Sequence, residues 1–399
     1  MGESELFHTA PLLLGRVRLL RAGETSPALP HGLELRQRQL RYTDGMNKFL
    51  LSMTPFAALA LLSAAPSGAA PAAAPSYHVL QKVVLGGDGG WDYLSIDANA
   101  RRIYISRSSH VMVVDADTYK VVGDIPNTNG VHGIAVASAL GRGFTSNGRD
   151  NSVTIFDLKT LKTLGTVAVG TGPDAILYEP KTQRVFTFNG RSNDATALDA
   201  KTGKVLGTIA LSGRPEFAAA DGSGMVYDNI EDKSEVVAID AQSLTLKKRW
   251  SLAPSESPSG LDIDARHHRL FSVCDGGKMV ISDTTLGMVA STAPIGNGPD
   301  AAGFDPGFGY AFSSNGQDGT LTAIKVFVDT VKAAGGQMHV DTGIPIQTVP
   351  TEKGARTMAV DTKTHRVLLV TATLDTANPG EGRRRNYVPG SFTLLVVGP

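Results

Sequence analysis

From residue 92 onward the chain alternates short apolar runs with polar turns, and the alternation repeats with a long period. Each unit opens on a polar residue followed by an apolar run. Asp92 opens DYLSID, His132 opens HGIAVA, Asp174 opens DAILYE and Glu216 opens EFAAAD. Ser259 opens SGLDID, Asp300 opens DAAGFD and Arg356 opens RTMAVD. Successive openings lie 40 to 43 residues apart until the last, which comes after 56. Inside a unit a second run follows a polar turn, as at Arg184 to Phe188. A Gly/Asn/Asp-rich corner leads to a third run, such as Ser152 to Phe156, which closes on Asp115, Asp157, Asp199, Asp240 or Asp283. A turn such as Lys201-Thr202-Gly203-Lys204 leads to a fourth, Val205 to Leu211. Short β-branched runs between turn residues read as strands, and the repeats carry no helical stripe.

Four antiparallel strands per unit, in seven units, predict an all-β fold: a seven-bladed β-propeller with four-stranded antiparallel blades. The last unit supplies three strands, within Ala355 to Val360, His365 to Thr371 and Ser391 to Val397. Tyr77 to Leu85 is the spare strand, so an N-terminal strand is expected to complete the last blade and close the ring. Blade six departs from the pattern. Thr320 to Val328 is expected as its third strand, and Asp329 to Gly343 as an extended strand end with a surface loop. Asp375 to Pro389 is a second insertion and carries Arg383-Arg384-Arg385, read as a solvated basic loop.

These units resemble the YVTN-type β-propeller repeats, and the chain is similar to secreted YncE-like proteins. Phe144-Thr145-Ser146-Asn147 and Phe186-Thr187-Phe188-Asn189 stand at the Y-V-x-N positions, with Ser152 to Asp157 and Lys201 to Ile209 at the later ones. Blades four to seven depart from that wording, with Met225-Val226-Tyr227-Asp228 and Phe271-Ser272-Val273-Cys274 in its place in two of them. The resemblance covers residues 77–399 and speaks to fold, because a fold does not set a function.

The N-terminal part reads differently. Residues 46–72 combine Lys48, the apolar stretch Phe49 to Ala65 and small residues with A-x-A-like sites, the layout of a secretory signal peptide. Residues 1–45 lie upstream of that signal and are expected to be a mis-called extension, with Met46 as the start. The mature chain is therefore expected to be periplasmic or secreted, monomeric and without a membrane span. The 38 basic and 38 acidic residues of the full chain cancel, so no whole-chain field draws it to nucleic acid or acidic membranes. The lone cysteine, Cys274, excludes an intrachain disulfide and is expected to be an inert strand residue.

Connections alternate between two faces, so the loop before each first strand shares a face with the second–third corner. The top face is then expected to gather a ring at the channel mouth: Asp92, His132, Asp174, Glu216, Ser259, Asp300 and Arg356. The corners are expected to add Asn147, Arg149, Asn189, Arg191, Asn315 and Gln317, and Trp91 lies beside Asp92. Asn147-Gly148 and Asn189-Gly190 read as tight corners that use positive φ. The arginines suit a carboxylate or phosphate. Asp174, Glu216 and Asp300 offer oxygen ligands to a divalent cation such as calcium, although no short metal-ligand cluster is present and no resident cofactor is called for. The strand-closing Asp residues are expected to cap turns, and His267-His268 to be solvated on the bottom face.

No c-type haem motif, phosphate loop, dinucleotide fingerprint or nucleophile elbow occurs in the chain. The leading expectation is a ligand-binding or protein-interaction module working through the top face and channel mouth, with an unknown small polar ligand or protein partner. One alternative is a metal-dependent lactonase- or hydrolase-like enzyme in the channel. Another is single-stranded nucleic-acid binding, which neutral charge and 6% aromatic residues disfavour.

Overall fold

The computed structural model describes residues 75–87, 89–333, 336–378 and 386–399. The upstream extension, the signal-peptide segment and Arg383-Arg384-Arg385 lie outside the described residues. The rest is seven four-stranded antiparallel sheets. Short 3₁₀ turns at Ser138–Leu140 and Glu231–Lys233 are the helical elements among the described residues, none of which forms a helix able to cross a membrane.

Sheets 1 to 6 each take four consecutive strands, and their innermost strands are Leu94–Asp97, Val131–Ala137, Pro173–Glu179, Pro215–Ala220, Glu256–Asp264 and Pro299–Asp305. Sheet 7 runs from Met358–Asp361 through Arg366–Thr371 and Thr393–Gly398 to His78–Val84, so the N-terminal strand is its outermost member, as expected. Each innermost strand lies against the next, and Leu94–Asp97 lies against Met358–Asp361, which closes the ring. The protein is a β-propeller.

The core explains the closure. It is divided into seven apolar clusters among the described residues, each filling the gap between two neighbouring sheets. Ile103, Ile105 and Val114 of sheet 1 pack with Leu368, Val370 and Leu394 of sheet 7. Tyr77 is buried against Phe312 with ring centroids 5.1 Å apart, which anchors the N-terminal strand. A four-stranded sheet alone exposes such faces, so burial between neighbours drives the ring shut. Arg107 adds a pin, lying 3.6 Å over the Phe392 ring and donating to the Gly86 carbonyl at 3.1 Å.

The turn and insertion expectations have clear outcomes. Asp157 Oδ1 accepts from the Thr160 amide at 2.7 Å and the Lys159 amide at 3.1 Å, and Asp115 and Asp199 repeat the pattern. Backbone hydrogen bonds hold the Asp115 and Asp157 carboxyls below their ordinary range. In sheet 6 the third strand runs beyond Val328, as Thr320–Ala333, and pairs with Gly336–Pro350 to make a long hairpin. Its backbone hydrogen bonds are met by its own partner strand, so the expected loop is mostly strand.

Candidate functional site at the channel mouth

The two sets of top-face loops are tied together. The Gly148 amide donates to the Gly130 carbonyl at 2.8 Å, Gly190 to Gly172 at 2.9 Å and Gly316 to Gly298 at 2.8 Å. Sheets 2, 4, 5 and 6 also hold the backbone at the opening of the next sheet. Ser146 Oγ donates to the Asp174 carbonyl and Ser314 Oγ to the Arg356 carbonyl. Asn229 Nδ2 donates to the Ser259 carbonyl at 2.8 Å, and Ser259 Oγ to the Pro299 carbonyl at 3.1 Å. Ring residues are thus fixed by rigid strands on either side.

Five of the seven ring side chains, those of Asp92, His132, Asp174, Asp300 and Arg356, join into one polar network. His132 Nδ1 lies 2.7 Å from Asp92 Oδ2 and 3.6 Å from Asp174 Oδ1. Arg356 reaches Asp92 at 3.3 Å from one nitrogen and binds Asp300 with another. Burial opposes protonation of His132, but the Asp92 hydrogen bond and the charges of Asp174 and Asp92 outweigh it and raise its pKa. Burial pushes Asp174 up to about 6 and Glu216 to about 9, with neighbouring carboxylates adding to both. Burial also raises Asp300, while Arg356 opposes the rise. At neutral pH Glu216 is therefore an uncharged acid, so it adds no negative charge to the mouth.

Directly beneath, Tyr93 of sheet 1 and Phe217 of sheet 4 stack at 4.8 Å with an interplanar angle of 29°. Tyr93 Oη donates to the Glu216 carbonyl at 3.1 Å. This aromatic pair floors a recess of about 130 Å³ walled by Asp92, Asp174, Glu216, Asp300 and Arg356. The same pair caps a lower channel of about 330 Å³ lined mainly by apolar residues such as Ile134, Ile176 and Ala219. A wider groove of about 530 Å³ shares Asp92, Asp174, Glu216 and Arg356 with the recess and adds His132, Arg149, Arg191 and Arg214.

Several expected site residues have other roles. Asn147 and Asn189 do not face the mouth: both are buried in their sheets. Asn147 Nδ2 donates to Thr154 Oγ1 at 2.9 Å and Ser152 Oγ at 3.2 Å, and its Oδ1 accepts from Thr145 at 2.9 Å. Asn189 and Asn315 repeat this, so the recurring Asn of these corners is a corner lock. Positive φ falls at Asn151 (50°) and Asn193 (56°), not at Asn147-Gly148 or Asn189-Gly190. Gly148 instead relieves crowding, since a Cβ there would lie 2.8 Å from His132 Nε2 and 3.2 Å from the Pro173 carbonyl oxygen. Trp91 lines the groove, but its ring packs on Tyr387 at 4.7 Å and Phe392 at 5.5 Å. His267 is held by Asp264 at 2.7 Å rather than left to solvent, although half its side chain is exposed. Cys274 is buried, and burial pushes its thiol up to about 12, as expected of an inert strand residue.

Three contributors were not anticipated from the sequence: Tyr93, Phe217 and Arg214. Tyr93 and Phe217 each directly follow a ring residue, which was the available signal. The metal-ligand geometry also differs from the expected set. Among the described residues Asp92, His132 and Asp174 have ligand atoms within 4.8 Å of one another, whereas Glu216 and Asp300 do not join them. Carboxylate and imidazole donors suit a divalent ion, but Asp92 is already engaged by His132 and Arg356.

No family model and no curated protein sequence matches the chain. Solved structures do. A chain of Kuenenia stuttgartiensis hydrazine synthase matches with a TM-score of 0.60 at 15% identity, over 73% of this chain and 94% of that one. U3-55K matches with a TM-score of 0.65 at 8% identity, over 80% and 99%. The WD40 repeats of RRP9 match with a TM-score of 0.63 at 8% identity, over 81% and 99%. At these identities the likeness establishes architecture alone, and that architecture is the β-propeller.

Proposed function

We propose that this chain is a periplasmic or secreted binding and interaction module, and that it holds a small polar ligand or a protein segment at its channel mouth. The observation that carries this reading is the mouth itself. A groove of about 530 Å³ and a recess of about 130 Å³ share Asp92, Asp174, Glu216 and Arg356, all of them on pinned strand openings. Concave sites of this size with a few convergent polar groups are the usual form of ligand pockets. The repeat wording supports a YVTN-type, YncE-like relationship, and the signal-like segment at residues 46–72 supports export.

A metal-dependent hydrolase is the second reading, favoured by the closeness of Asp92, His132 and Asp174. The guanidinium of Arg356 already supplies positive charge to Asp92 and Asp300, which argues for the binding reading. Nucleic-acid stacking finds little support, because Trp91 is committed to Tyr387 and Phe392.

The test is a ligand screen by thermal shift on the wild type and on Asp174→Lys/Glu216→Lys, with Asp174→Asn/Glu216→Gln as a milder pair. Compounds that stabilise the wild type lose that effect in both pairs. Compounds that stabilise all three proteins equally would move the site away from the mouth. EDTA leaves the melting temperature unchanged under the binding reading and lowers it under the hydrolase reading.

A further inference from the structure

The groove at the mouth has two cations to spare. Arg214 pairs with Glu231 at 2.5 Å, Arg356 with Asp92 and Asp300, and His132 with Asp92 and Asp174. Arg149 and Arg191 are exposed and their guanidinium groups make no hydrogen bond or ion pair among the described residues, yet both residues line the groove. Their stems are nevertheless positioned. Gly130 (φ 66°) and Gly172 (φ 63°) leave slots in the loops before the inner strands of sheets 2 and 3. A Cβ on Gly130 would lie 2.6 Å from Arg149 Cγ, and one on Gly172 would lie 2.8 Å from Arg191 Cγ. In sheet 6 the matching slot at Gly298 is filled by Gln317, a side chain with a similar stem and no charge. The fold therefore needs the stem and not the guanidinium. Two guanidinium groups on adjacent, repeat-related corners are a surplus that the architecture does not explain.

The carboxyls that line the groove do not cancel them. Glu216 is pushed up to about 9 by burial and its acidic neighbours, so at neutral pH it is an uncharged donor and acceptor. The remaining carboxylates facing the groove, Asp92 and Asp174, are engaged with His132.

We propose that Arg149 and Arg191 together bind a compact dianion, a phosphate monoester or a dicarboxylate, whose remaining polar groups lie toward His132, Asp174 and Glu216. This rests on the mouth being a ligand site and specifies the chemistry of what enters it. Planar guanidinium groups suit both anions because each can present paired N–H donors to two oxygens.

The experiment is calorimetric titration at constant ionic strength with glycerol 3-phosphate, succinate and acetate. At least one of the two dianions binds saturably with one site per chain, and the tighter of them identifies the class. Acetate binds at least about tenfold more weakly. Arg149→Gln and Arg191→Gln, which copy Gln317, each weaken the dianion about tenfold or more, as expected for losing a charge-assisted pair, with the melting temperature unchanged. The proposal is overturned if neither dianion saturates, or if the double Gln variant binds as the wild type does. Neutral or cationic compounds that bind at the mouth while both dianions fail would end the dianion assignment alone. A mouth that binds nothing in either set would end both readings.

Discussion

Tyr93 and Phe217 stack with ring centroids 4.8 Å apart, although they belong to the first and fourth sheets of the ring. The contact crosses the channel and separates the polar recess from the lower channel, because both cavities are lined by this pair. The mouth is thus a bowl with an aromatic floor, not the open end of a tube.

Removing half of that floor has a definite consequence. Phe217→Ala leaves Tyr93 without its partner and joins the two cavities. The expected cost is about 2 kcal/mol, less than for a fully buried phenylalanine because Phe217 is only partly buried. Urea unfolding measures it, and a change below about 0.5 kcal/mol would mean that the stack contributes no more than an ordinary surface contact.

The pH dependence of stability follows from Glu216. Its pKa rises from an ordinary 4.5 to about 9 in the folded chain, through burial and the facing Asp174, Glu231, Asp300 and Asp92. The folded state therefore keeps a proton that the unfolded chain releases above about 4.5. This contribution to stability is complete below that pH and drains away as pH rises toward 9. Asp174 acts with the same sign between about 3.8 and 6. Urea midpoints of the wild type should fall from pH 5 to pH 9, and Glu216→Gln should flatten the profile between pH 6 and 9. Parallel profiles for the two proteins would show that Glu216 titrates normally.

The corner lock and the groove arginines should separate cleanly by mutation. Asn189→Ala strands Thr196, Asp194 and Thr187, which now bond to its amide. Its cost is about 2 kcal/mol of stability, with ligand affinity of the folded protein unchanged. Arg191→Gln is expected to do the reverse. Paired unfolding and binding measurements on both variants decide it, and a binding loss in Asn189→Ala would return Asn189 to the site.

Much of the fold was legible before the structure. The spacing of Asp92, His132, Asp174, Glu216, Ser259, Asp300 and Arg356 counts the sheets, because one period buries one pair of faces. The shortage of one strand after Arg356 pointed to the pairing of His78–Val84 with Thr393–Gly398. Face alternation brought the ring residues to one surface. The Tyr93–Phe217 contact was illegible, since it runs across the channel and repeats with no period. The inward turn of Asn147 was hidden as well. A corner residue looks the same in sequence whether its amide faces water or locks onto Thr154. Nor does sequence show that Glu216 is neutral, which depends on burial and on acids contributed by other sheets.

The central claim is that the channel mouth is where a ligand sits, and Met358 reports on it directly. Met358 lines both the recess and the channel below it, whereas Met279 is buried between sheets 5 and 6 and Met288 is exposed on an outer strand. Methyl-¹³C methionine spectra recorded while titrating a stabilising compound should move the Met358 resonance and leave those of Met279 and Met288 in place. A saturable compound that shifts Met288 or Met279 and leaves Met358 unmoved would contradict the account.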